Sequence, residues 1–328
     1  MREIVRLENP DLVVVTGDIV SDYAWDRTTR PWMAEKYDRF ARVMEEEGVW
    51  WATAMGNHDF GTDLSMHEVL HLDMSYSRSL TQQNSHNLTR DFTYMLPVYD
   101  ESGVATELRL WFINTGRDSC LGKGGWDCPT ADQIKWFRDL NSEIPRDDPS
   151  KGRGFAFMHI PLPEYVDLYN NGRYFGAKNE NIACGSINTG LFAAMLEQPS
   201  VDWVSCGHDH NNDFYGEHLG INLAYGRKTG YGGYGPSGLK HGARVFEVSL
   251  NPTYKIDTWV REEGGGVSRY YSEHSRPFLS QTLTQCSGVL RKVPPVYRVF
   301  TTLALVNVVI LLLGESYLVN TNPLKLIF

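Results

Sequence analysis

Residues 201–210, VDWVSCGHDH, carry the strongest constraint on what this chain can fold into. Residues 201–206 form a short, mostly apolar, β-branched run that reads as a buried strand, and it runs into Gly207. In extended backbone, side chains two apart share a face. His208 and His210 are therefore expected to project into one cavity while Asp209 points elsewhere. A histidine pair alone is weak evidence, since at a strand end it is more often a polar edge than a ligand set. Three further strands give it company. Asp18 follows the run 12–16 in DLVVVTGDIV, Asn57 and His58 follow 50–55 in VWWATAMGNHDF, and His159 follows 155–158 in GFAFMHIPLPEY. Each is an apolar strand ending in metal-capable side chains, so four strands are expected to deliver ligands to one sheet edge.

The elements between these strands fit that scheme. Residues 1–8 read as the end of a helix that runs into the Asn9-Pro10 breaker, so the chain is expected to open mid-unit, without the strand that should precede that helix. Residues 31–47 place Met33, Tyr37, Phe40 and Met44 at three- and four-residue spacing before a Gly48 stop, which predicts an amphipathic helix. Strand, helix, strand is a βαβ unit, whose parallel strands put their carboxyl ends on one edge. Residues 60–103 are polar and irregular and predict a surface excursion, with an Asn-Leu-Thr glycosylation acceptor at Asn87. Residues 107–114 predict a strand, and Thr130 with Gln133 a capping box for a helix carrying Ile134, Phe137 and Leu140. Residues 221–225, 243–250 and 254–260 are strands with no helix between them, which predicts a second, more antiparallel sheet.

With 328 residues, 42% of them hydrophobic, the chain can bury a substantial core. A net charge of −9 leaves no nucleic-acid surface in evidence, because phosphate contacts need clustered Lys and Arg. The five cysteines show no CxxC spacing, so neither a zinc ribbon nor a thioredoxin-like redox site is indicated. Cys120 and Cys128 are spaced to close a small disulfide loop in an oxidising compartment, but a sparse, odd set is equally ordinary in the cytosol. Residues 299–314 carry no formal charge and would span roughly 24 Å as a helix, which predicts a single membrane helix over 296–319. Arg291, Lys292 and Arg298 before it outnumber Lys325 after it and favour a cytosolic catalytic domain, whereas the Asn87 acceptor favours the lumen. The side stays open.

The ordered set Gly17-Asp18, Gly56-Asn57-His58-Asp59, His159 and Gly207-His208-Asp209-His210 resembles the calcineurin-like metallophosphoesterase superfamily. More narrowly, PDLVVVTGD, GNHDF, FAFMHIPLPEY, the GGW of KGGWDCPTADQIKWF, INTG, and CGHDHNNDF followed by AYGRKTGYGGYG resemble the purple-acid-phosphatase-related group. That group includes the fungal Dcr2-type phosphatases and their plant relatives, and the resemblance covers roughly residues 1–250. It implies an α/β fold, a βαβαβ double sandwich of two packed mixed sheets flanked by helices. The expected organisation is a metallophosphoesterase domain at 1–262, a linker at 263–295, the membrane helix at 296–319 and a tail at 320–328.

The resemblance also implies two metal ions, iron, zinc or manganese, and hydrolysis of phosphate monoesters by a metal-bridging hydroxide. Asp18 would bridge the metals, Asn57, His159 and His208 would complete one site, and His210 would contribute to the other. His58 would face the substrate as a proton donor, with Asp59 fixing its tautomer. The tyrosine that purple acid phosphatases place three residues after the bridging aspartate is Ser21 here, so no tyrosinate-to-iron colour is expected. Nothing before Asp18 matches the family's Asp-x-His motif, so one metal would keep only Asp18 and His210 and the fold reads as N-terminally truncated. Tyr165, Arg227, Tyr231 and Tyr234 are candidates for lining a substrate cleft. Two rival readings are a membrane-tethered pseudophosphatase that binds a phosphorylated partner, and a zinc metalloprotease built on the HExxH match at His67, Glu68 and His71.

Overall fold

A computed structural model describes residues 1–275 and 286, apart from 85, 87, 146, 149, 251, 252 and 271. The Asn87 acceptor, the expected membrane helix and the tail lie outside the described residues. Among those described, no helix is long and apolar enough to cross a membrane.

The chain opens on α1 (Arg2–Glu8), stops it at a left-handed Asn9, and enters β1 (Leu12–Val15). From there α2 (Met33–Glu47) leads to β2 (Trp50–Thr53), which pairs in parallel with β1, Leu12 opposite Trp50. The expected stripe of α2 is buried, and Gly48 ends the helix at φ 70°. That stripe packs with Trp51 and Met55, and with Val69 and Leu70 of α3 (Met66–Met74). The segment 60–103 is therefore more than a surface excursion. Its α3 seals this core layer, and its β3 (Tyr94–Tyr99) pairs antiparallel with β4 (Thr106–Phe112). The few buried residues there are scattered among polar ones, which hid the pattern.

Next comes α4 (Ala131–Ser142), where Gln133 Oε1 accepts from the Thr130 N–H at 2.8 Å in the expected capping box. It is followed by β5 (Gly154–Phe157), α5 (Glu164–Asn171), β6 (Tyr174–Phe175), α6 (Leu191–Glu197), β7 (Trp203–Cys206), β8 (Tyr215–His218) and β9 (Ile221–Tyr225). The chain then forms β10 (Gly242–Ser249), β11 (Lys255–Glu262), β12 (Val267–Ser268) and β13 (Glu273–His274). Strands β13-β6-β8-β9-β7-β5-β4-β3 make one eight-stranded sheet, parallel from β9 to β4 and antiparallel outside that block. The others form the β1-β2 pair and a β10-β11-β12 sheet. The strand at 221–225 thus belongs to the large sheet, parallel to β7, and not with β10 and β11.

Between the sheets lies one apolar layer, to which Ala52, Phe112, Phe155, Phe157 and Trp203 contribute together with Val14, Phe246 and Ile256. The far face of the large sheet is covered by α4, α5 and α6 through Phe137, Tyr165, Phe192 and Met195. This is the helix-flanked sandwich of the expected fold class. The compact unit runs Met1–Val289 and takes in part of the expected linker, because β12 and β13 join sheets and Cys286 is disulfide-bonded to Cys184. A second unit, Leu290–Phe328, lies outside the described residues.

Candidate metal centre

Four strands do bring these side chains together, but from two sheets. Asp18 and Asn57 follow β1 and β2, whereas His159 and His208 follow β5 and β7 of the eight-stranded sheet. Which strands pair is a long-range property that strand patterning does not encode.

Asp18, His159 and His208 each bring a ligand atom within 4.8 Å of the others. His159 Nε2 stands 3.1 Å from Asp18 Oδ2 and 2.8 Å from Asn57 Oδ1. His208 Nδ1 lies 3.0 Å from the same amide oxygen and 3.2 Å from His159 Nε2. Asp18 and His208 both have positive φ, 58° and 71°, a strained backbone for residues with a Cβ and one that clusters at functional sites.

His159 Nδ1 lies 2.6 Å from the Thr16 carbonyl. A carbonyl only accepts, so Nδ1 carries a proton, and when the ring is neutral its Nε2 lone pair faces the carboxylate and amide oxygens. Donor atoms that converge in this way call for a cation, a metal ion or, in its place, a proton on His159. Burial works against charge on both Asp18 and His159, yet their mutual attraction prevails: the Asp18 carboxyl is held below the usual carboxylate range and the His159 imidazole is raised. Burial, then the neighbouring His159, push His208 well below the usual range, which keeps it in the neutral form a metal requires. His208 Nε2 is buried without a hydrogen-bond partner among the described residues, an unmet polar atom of the kind a bound ion or ligand satisfies. Donor chemistry and field both fit a transition metal.

His210 stands outside this cluster. The positive φ at His208 breaks the two-residue alternation, and the His210 ring stacks on Tyr234 at 4.1 Å and donates from Nδ1 to the Tyr234 carbonyl at 2.7 Å. That bond leaves Nε2 as the lone-pair nitrogen of the neutral ring.

Asp59 does not orient His58. It is buried, accepting from the backbone N–H groups of Asp18, Gly56 and Val20 at 2.7, 2.9 and 2.9 Å. It knits the two ligand loops together. Burial first, and the nearby Asp18 second, raise its carboxyl to about 6. The partner of His58 Nδ1 is Asp22, at 2.7 Å, whose other oxygen accepts from Arg117 at 2.5 Å. The His58 backbone N–H donates to Asp18 Oδ1 at 2.9 Å, which fixes this group beside the cluster. Asp22 lay within GDIVSD, four residues after Asp18, but nothing local singled out Arg117.

Two cleft candidates are structural. Tyr165 is fully buried, its hydroxyl donating to the Ala224 carbonyl at 2.9 Å. Arg227 is buried against Asp213 and Tyr270. The neighbouring Lys228 feels the Asp18 charge instead, although burial lowers its pKa. Tyr231 bonds Glu263 at 2.7 Å and packs on His241, so it engages neither the cluster nor His210. Of the four cleft candidates, Tyr234 alone packs on a histidine of the expected ligand set.

His67 and His71 face each other on α3, Nε2 to Nε2 at 3.0 Å, but Glu68 is tied to Ser65 in a capping box and is not free to act as a base. The protease reading loses its catalytic residue.

The calcineurin-like phosphoesterase family matches residues 1–212, and the chain belongs to that family. It is similar to a probable inactive purple acid phosphatase 29 of Arabidopsis thaliana, 29% identical over 285 residues that cover 80% of this chain and 72% of that protein. It is also similar to the phosphatase DCR2 of Saccharomyces cerevisiae, 30% identical over 80% of this chain and 47% of that protein. Among solved structures, a dimetal phosphatase from Danio rerio aligns over 69% of this chain and 75% of its own, at 14% identity and a TM-score of 0.48.

Proposed function

We propose that this chain is a metal-dependent phosphatase that hydrolyses phosphate monoesters at the Asp18 cluster. The observation that carries the reading is the convergence of Asp18, His159 and His208 within 4.8 Å, with Asn57 among them. These four residues would hold a metal ion, and Asp18 with His210 would contribute to a second one. Metal ions bound there would activate water near neutral pH and neutralise charge on the phosphoryl oxygens. Iron, zinc and manganese all suit this donor set.

The chain's own residues supply the rest. With Nδ1 bound to Asp22, His58 presents Nε2 to the ester oxygen and protonates the leaving group. Arg117 holds Asp22 in place, and Asp59 keeps the Asp18 and Gly56 loops in register. Phenyl phosphate hydrolysis by the full chain with added manganese, zinc or iron tests this reading. Turnover that a chelator abolishes supports it, and no turnover with any metal argues against it.

A second reading, phosphate binding without turnover, is favoured by the position of His210 outside the cluster and by the name of the Arabidopsis relative. Membrane attachment through 296–319 also belongs to the proposal and rests on the uncharged run 299–314 alone. Carbonate-resistant membrane fractionation of the full chain tests it.

A further inference from the structure

We propose that Tyr23, Trp126 and Tyr234 form an aromatic collar that selects phosphate esters carrying a flat aromatic group close to phosphorus. The inference names the substrate class of the phosphatase reading and rests on it.

Three rings from three separate loops each pack on a different histidine of the site. Tyr23, in the turn after β1, lies 4.6 Å from His58. Trp126, from the loop closed by the Cys120–Cys128 disulfide, meets His208 edge-on at 4.5 Å. Tyr234, from the glycine-rich loop after β9, stacks on His210 at 4.1 Å with an interplanar angle of 18°. These histidines border one place: the His58 backbone N–H donates to Asp18 Oδ1 at 2.9 Å, Asp18 and His208 bring ligand atoms within 4.8 Å of each other, and His210 follows His208 by two residues.

Two of the rings keep a face open. Tyr23 is 79% exposed and Tyr234 53%, although each is anchored on an imidazole. Large aromatic side chains usually bury their area, so exposed rings at the mouth of a site leave apolar surface for a ligand. Tyrosine suits this role, since its ring loses little conformational freedom on binding. Phosphate drawn to the Asp18 cluster would set its ester group between the Tyr23 and Tyr234 rings. A sugar or alkyl chain there gains no stacking, whereas an aryl ring does. Aromatic pairs are worth about 0.5–1.5 kcal/mol beyond area burial, which corresponds to roughly 2- to 13-fold per ring.

The test uses non-hydrolysable probes, so it does not depend on turnover. Titration calorimetry on the metal-loaded full chain compares 2-naphthylmethylphosphonate with methylphosphonate. The naphthyl probe should bind about tenfold or more tightly, and Tyr23→Ala and Tyr234→Ala should each cut that ratio several-fold. Tyr231→Ala, at a tyrosine 76% exposed on the same glycine-rich loop but off the collar, should leave the ratio as it is. Equal affinities in the unmodified protein, a ratio unmoved by both collar variants, or a ratio lowered as much by Tyr231→Ala would overturn the proposal. The phosphatase reading fails separately: a naphthyl preference without phenyl phosphate turnover removes the hydrolysis and keeps the collar. Turnover without the preference does the reverse.

Discussion

Gly17 and Gly56 stand so close that neither has room for a side chain. A Cβ on Gly17 would lie 2.5 Å from the Gly56 Cα, and one on Gly56 would lie 2.1 Å from the Asp18 backbone nitrogen. Gly17 also has φ 90°, a conformation open to glycine at little cost. This contact brings the loops after β1 and β2 together and aims Asp18 and Asn57 at one point.

Gly56→Ala should therefore cost about 1–3 kcal/mol of stability through overpacking, read by urea unfolding, and should remove metal binding with it. A variant that keeps both would show that the loops can part without harm.

Asp22→Asn should lower kcat on an aryl phosphate by on the order of 10–100-fold and leave metal content unchanged, because Asp22 touches His58 and not the cluster. Asp59→Asn should instead weaken stability and metal binding together, because three backbone donors depend on that carboxylate. Steady-state kinetics alongside elemental analysis separates the two outcomes.

Glu164 supplies a pH prediction remote from the cluster. Burial raises its carboxyl pKa, and one of its oxygens has no hydrogen-bond partner among the described residues. The folded state then binds this proton more tightly than the unfolded state. The resulting stabilisation is present in acid and is lost as pH rises from the ordinary glutamate range through the raised value. Glu164→Gln should melt with the native protein at low pH and above it at pH 8, by thermal unfolding across that range. A gap that widens in acid would contradict the assignment.

Cys120 and Cys128 bond as their spacing allowed, Cα to Cα at 5.3 Å. Closing so short a loop is worth about 2–3 kcal/mol in the chain-entropy model. The Cys120→Ser, Cys128→Ser pair should lose about that much by denaturant titration, and the fluorescence of Trp126 against His208 should change.

The clustering of the strand-end side chains Asp18, Asn57, His159 and His208 was legible in the sequence, because a short apolar run followed by a turn and a metal-capable side chain is a local signal. The α2 stripe and the Thr130 capping box were legible for the same reason. Asp22 against Asp59 was not. Both carboxylates neighbour the motif, and only the fold shows that Asp59 faces backbone donors while Asp22 reaches His58. Arg227 and Lys228 show the same limit at a spacing of one residue, since the burial of the first against Asp213 depends on contacts across the chain. The place of 221–225 in the large sheet was hidden too, because strand composition does not name a partner.

The measurement that bears most directly on the account is bound metal per chain, by elemental analysis of the full protein and its His159→Gln variant after dialysis against trace manganese or zinc. The account predicts about one equivalent or more in the native protein, and loss of the Asp18-cluster ion when the Nε2 lone pair is removed. Equal metal content in the two proteins, with the variant folded by circular dichroism, would contradict it.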